Sequence, residues 1–140
     1  MNRSDAVLAA MAAAGENATF TPVQIQKLMF LIDREIPRLV GGPHFNFQPY
    51  DFGPFDSAVY DLLDRLTAQE LVYQSKARYR LYTLSPEGYH RGLGVLNGSN
   101  AASTYIRQAA NWVRSIPFSK LVAAIYRAYP DMQVNSIFRS

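Results

Sequence analysis

The chain has no cysteine at all. That excludes disulfides, thiolate metal sites and a cysteine nucleophile, and it fits a reducing cytoplasm. Histidine is nearly as scarce: His44 and His90 are the only two. They are far apart, with no carboxylate at metal-ligand spacing, so neither a metal centre nor a cofactor is expected. No glycine-rich phosphate loop is present, and nothing local resembles a nucleophile elbow. An enzyme is therefore not expected, and no catalytic residue is assigned. No apolar run approaches the length of a membrane span, so no membrane partner is expected. The start, MNRSDAVLAAMAAAG, has a basic residue and then an alanine-rich run, as a signal peptide does. Asp5 at its front and its weak hydrophobicity favour a soluble helix over residues 5–14 instead, capped by Ser4 and stopped by Gly15.

Acid is scarce in one half of the chain. Residues 76–140 carry nine bases against Glu87 and Asp131, a net charge of +7. Residues 1–75 carry five bases against nine acids, a net charge of −4. A half that basic suits an anionic partner, or the acidic half of a second copy.

What the chain does have is a strong helical signal in residues 21–71. Thr21-Pro22-Val23-Gln24 reads as a capping box with proline at the first helical position. Ile25, Leu28, Met29, Phe30, Leu31, Ile32, Ile36 and Leu39 follow, covering more than one face. A helix over residues 22–40, kinked or ended at Pro37, should thus be central and packed from several sides. Its polar residues Gln26, Lys27 and Asp33 are expected on one wet edge, because buried charge is costly unless paired. The alternative is that they bond other elements from inside.

Residues 44–48 alternate and suggest a short strand, held to a sheet edge by Pro49. YDFGPFD, residues 50–56, then makes an aromatic glycine–proline corner, read first as a rigid turn pinned to the core. A third helix follows over residues 55–70, with Val59, Leu62, Leu63 and Leu66 on its buried face. Residues 71–73 and 78–83 read as a hairpin turning at Ser75-Lys76-Ala77, with Arg78 and Arg80 sharing one face at period two. Ser85-Pro86 opens a short helix to about Leu93. Ser103 should cap another, broken at Ile116-Pro117. Residues 118–129 form the last substantial helix, and residues 131–140 a tail.

The expected fold class is mainly α, of the α+β type. It is a winged-helix-like helical core (about residues 4–94) with a β-hairpin wing and extra C-terminal helices (about residues 103–140), in one domain of 140 residues.

QIQKLMFLID, followed some twenty residues later by YDFGPFD and a helix, resembles the SocA-like antitoxin family, also called the Panacea domain. Members typically carry a lysine–leucine–glutamine–lysine–leucine segment on an early helix, then a tyrosine–glycine–proline turn. The match lies in Ile25, Gln26, Lys27, Leu28 and Met29, and in Tyr50, Gly53 and Pro54. Asp51-Phe52 separates Tyr50 from Gly53, which makes Phe52 a second candidate for the aromatic before glycine. The resemblance covers residues 21–72. It implies a protein-binding module that neutralises a toxin by contact or acts as an adaptor for a protease. It carries no catalytic residues.

Two binding readings follow. A protein partner would meet the outer face of the third helix and the corner before it: Phe55, Asp56, Tyr60, Asp61, Asp64 and Arg65. Nucleic acid would meet the hairpin cations Lys76, Arg78 and Arg80, with Arg107, Arg114, Lys120 and Arg127 on the C-terminal helices. Against the second reading, three carboxylates on the would-be recognition helix repel phosphate. Protein is the first choice, nucleic acid the second, and pairing of two copies stays open.

Overall fold

A computed structural model describes residues 1–138. Side-chain caps set most helix starts. Asn2 accepts from the Asp5 amide and begins α1, Arg3–Ala12, so the expected cap Ser4 lies one residue inside the helix. Thr21 and Gln24 form the full capping box of α2, Pro22–Glu35. Pro37 ends α2 early, and Pro37–Val40 continues as a 3-10 turn, not as the same helix. Asp56 caps α3, Ser57–Ala68. Ser85 caps α4, Pro86–Asn97, which runs four residues past its expected end. Ser99, not Ser103, caps α5, Asn100–Ser115. Pro117 precedes α6, Phe118–Ala128, and Pro130–Gln133 is a second 3-10 turn. Of the expected tail, Arg139 and Ser140 lie outside the described residues.

The strands are short. β1, Thr19–Phe20, falls between the first two helices, where no strand was expected. The alternating stretch before Pro49 pairs only at its end: β2 is Gln48–Tyr50 and β3 is Gly53–Phe55, so the corner is itself a tight hairpin. β4 is Val72–Ser75 and β5 is Leu81–Leu84. β5 therefore starts beyond Arg78 and Arg80, which lie in the loop and not on a strand face. The main sheet is antiparallel in the order β1-β5-β4, with Thr19 opposite Thr83 and Val72 opposite Leu84. This order, α1-β1-α2-α3-β4-β5, is that of a winged helix, with the β2–β3 hairpin inserted between α2 and α3.

The core sits between two helices. α2 is buried from Ile25 through Asp33, in accord with its apolar coverage. α1 is as deeply buried, with every residue from Ala6 to Ala13 at 5% exposure or less. α1 packs on α4, α5, β5 and α2. α4 can approach because Gly92 faces it: a Cβ there would stand 2.3 Å from the Leu8 carbonyl oxygen. The extra C-terminal helices pack into the same apolar cluster, α5 through Ile106, Ala110 and Val113 and α6 through Leu121 and Ile125.

Candidate interaction surface

The two sequence motifs meet in space. The Gln26 side chain pairs with one residue of the corner on both sides: its Nε2 donates to the Asp56 carbonyl at 2.9 Å, and its Oε1 accepts from the Asp56 amide at 3.1 Å. Lys27 Nζ donates to the Pro54 carbonyl at 3.3 Å. Asp33 accepts from the amides of His44 at 2.9 Å and Phe45 at 2.8 Å. All three side chains are buried. The wet edge expected for them is thus overturned: they bond other elements from inside the molecule. The reason lies in the segment they hold. Residues 44–47 form neither helix nor strand, Asp56 lies just past β3, and the Pro54 carbonyl faces Pro49, which has no N–H, so these backbone groups need partners, and α2 supplies them. Burial pushes the Lys27 ammonium down to about 8.

Gly53 closes this clamp. Its φ of +104° lies in the region that favours glycine, and a Cβ there would stand 3.3 Å from Lys27 Cε. The rest of the hairpin turns outward. Tyr50 stacks on Phe55 with ring centres 5.2 Å apart, and Phe55 meets Tyr60 edge-on at 5.6 Å. Across the tip, Phe52 meets Phe118 of α6 edge-on at 5.4 Å. Tyr50, Phe52 and Phe118 are 55%, 39% and 44% exposed. The result is an aromatic ledge on a hairpin whose base is bonded into the core.

Beside the ledge runs the outer face of α3. Asp61, Asp64 and Arg65 are exposed there. Asp64 Oδ1 also accepts from Gln74 Nε2 at 2.9 Å, which ties α3 to β4. Phe55 and Tyr60 are half-buried under the ledge. Asp56 is engaged on both oxygens, by the Ala58 amide at 2.9 Å and the Asn46 amide at 2.7 Å, so its carboxylate serves the chain's own backbone.

The basic residues do not gather in one place. Lys76, Arg78 and Arg80 sit in residues 76–80, all five of them exposed, with Tyr79 at 63%. Arg107 donates to Asn97 Oδ1 at 3.2 Å, and Arg114 donates to the Thr19 carbonyl at 2.9 Å while lying over the Phe20 ring. Both are half-buried and bonded within the chain. Lys120 and Arg127 are exposed on α6. His44 has a ring nitrogen 2.7 Å from the Val40 carbonyl oxygen, and His90 is exposed on α4. Among the described residues no group of three acidic or histidine side chains is placed to hold a metal ion, and no helix is long and apolar enough to cross a membrane.

Asp33 was not among the expected site residues. A signal for it was present: Gln26 and Asp33 are seven apart, so they share one helix face. Tyr126 and residues 134–138, which also touch the hairpin, had no such signal.

No protein-family model matches the chain, and no curated protein is significantly similar to it.

Proposed function

We propose that the chain is a non-enzymatic protein-interaction module of antitoxin or adaptor type, acting in the cytoplasm by holding a partner protein. The observation that carries this reading is the exposed aromatic ledge, Tyr50 and Phe52 of the hairpin with Phe118 of α6, at a hairpin whose base two buried side chains of α2, Gln26 and Lys27, bond into the core. Exposed aromatics on a rigid base lose little conformational freedom when they are covered, and such side chains dominate protein interfaces. The acidic face of α3 flanks the ledge and selects a partner with a basic rim. The resemblance to SocA-like antitoxins points the same way, since both of its motifs fall in this one clamp.

Affinity purification of the tagged chain from its native cell, washed at low and at moderate salt, tests the proposal. A stoichiometric protein that survives moderate salt supports it. Its absence, with only nucleic acid recovered, sinks it.

A second reading has its own observation. Residues 76–80 put three cations and an exposed tyrosine at the tip of the wing, and no acidic residue lies between Leu71 and Pro86. Such a loop suits phosphates, with Asp61 and Asp64 disfavouring the insertion of α3 into a groove. Nucleic acid bound in this way is lost steeply as salt rises, which separates the two readings in the same purification.

A further inference from the structure

Residues 134–138 follow the last 3-10 turn and lie across the tip of the β2–β3 hairpin without forming helix or strand. Four hydrogen bonds place them. Asn135 Nδ2 donates to the Pro49 carbonyl at 3.2 Å. The Ile137 amide and the Ser136 hydroxyl donate to the Asp51 carbonyl at 3.1 and 3.2 Å. The Tyr126 hydroxyl donates to Ser136 Oγ at 2.6 Å. Phe138 then packs its ring against Phe118 and Tyr126, with centres 6.1 and 6.3 Å away.

The seat is built, yet its occupant is held weakly. Val134 and Ile137 turn their side chains to solvent at 73% and 62% exposure. Ordering five residues costs more entropy than four partly exposed hydrogen bonds return, and the Phe138 ring contacts make up part of the difference. What the tail does provide is cover. It satisfies backbone acceptors at the hairpin tip and closes one end of the aromatic ledge.

We propose that this seat is a docking groove for an extended segment of the partner protein, with the chain's own tail as the occupant that the partner replaces. The proposal rests on the interaction reading above and names the partner's chemistry. The tail shows what fits: an amide side chain reaching the Pro49 carbonyl, a hydroxyl residue next, any aliphatic residue, then an aromatic ring against Phe118 and Tyr126. The partner segment therefore carries the pattern amide–hydroxyl–x–aromatic in extended form. Recognition through a backbone acceptor and a ring pocket is the ordinary way in which an extended peptide docks on a strand edge or hairpin.

The test uses the full chain and a fluorescently labelled peptide of sequence Gln-Val-Asn-Ser-Ile-Phe, which copies residues 133–138. In the double variant Ser136→Ala with Phe138→Ala the tail loses its hydroxyl bonds and its ring, which opens the seat. Fluorescence anisotropy is expected to show the opened variant binding the peptide at least tenfold more tightly than the parent chain. Adding Phe118→Ala, at an exposed position, should then weaken binding at least tenfold. The proposal is overturned if the opened variant does not bind, if the parent binds equally well, or if Phe118→Ala changes nothing. Should the opened variant fail to fold, hydrogen exchange in the parent chain decides. The Ile137 amide should exchange far faster than the amides of α2, and equal protection overturns the proposal. No partner protein is needed in these assays. Their failure beside a successful affinity purification removes the tail as a competitor and leaves the interaction module standing. A successful peptide assay beside a failed purification does the reverse.

Discussion

Lys27 Nζ meets the Pro54 carbonyl oxygen at 3.3 Å while its side chain is 3% exposed, and neither ion pair among the described residues, Arg34–Asp131 and Arg91–Asp5, involves it. A buried ammonium held by one carbonyl favours its neutral form, and burial lowers its pKa from 10.5 to about 8. The unfolded chain therefore binds more protons at this lysine than the folded one between pH 8 and 10.5, so stability rises with pH across that window. A shift of this size corresponds to about 3 kcal/mol, present as a penalty below pH 8 and relieved toward pH 10.5. Burial raises the pKa values of Tyr60, Tyr105 and Tyr129. Those groups favour the folded state below pH 10 and lose that effect above it, so they oppose the lysine at the alkaline end. Urea melts from pH 7 to 10 should show stability rising with pH, and Lys27→Met should flatten the rise. An unchanged slope in that variant would assign the effect to another group.

Gln26→Ala should cost about 2–4 kcal/mol, because it leaves both the amide and the carbonyl of Asp56 without their partner. The same truncation at Gln24, which is only half-buried, removes one arm of the capping box and should cost about 1 kcal/mol. Chemical denaturation of the two variants checks the order. A larger loss at Gln24 would mean that the clamp contributes little.

The glycines of α4 should differ sharply. A Cβ on Gly88 would stand 2.0 Å from the Leu71 carbonyl oxygen, and Gly88→Ala should abolish the native fold or shift α4 bodily. Gly94 has nothing within 4 Å, and Gly94→Ala should raise stability by up to about 1 kcal/mol through helix propensity alone. Thermal melts distinguish these outcomes directly.

Leu28 and Leu63 are fully buried on α2 and α3. Truncation of either to alanine should cost about 2–5 kcal/mol. A melt that barely moves would show the site collapsing around the missing atoms.

Reversing charge at Asp61 and Asp64 together, each to arginine, should impair capture of the partner and leave the fold intact. Both residues are exposed, and Asp64 contributes only its bond to Gln74. Equal recovery of the partner by parent and variant would move the contact away from the outer face of α3.

Much of the framework was legible in residues 21–71 because its signals are local. The Thr21–Gln24 box, the four leucine and valine positions of α3 and the Ser85-Pro86 start each act within one turn of backbone. The clamp was half legible. Gln26, Lys27, Gly53 and Pro54 stood out together, but their burial did not. An isolated helix offers no reason to bury an amide, an ammonium and a carboxylate; that reason is the set of backbone groups at residues 44, 45, 54 and 56 that they satisfy, farther along the chain.

The sequence by itself determined where most helices begin, that α2 would be packed on several sides, and that a hairpin would follow α3. These follow from capping and periodicity, which need no distant partner. Tertiary structure alone decided that the alanine-rich α1 is a second centre of the core. Small side chains give no amphipathic signal, and their use appears only when Gly92 of α4 closes to the Leu8 carbonyl. It also decided that Thr19 and Phe20 would join the sheet, and that residues 134–138 would rest on the hairpin tip. Both contacts link residues more than sixty positions apart, and they depend on surfaces that exist only once the chain has folded.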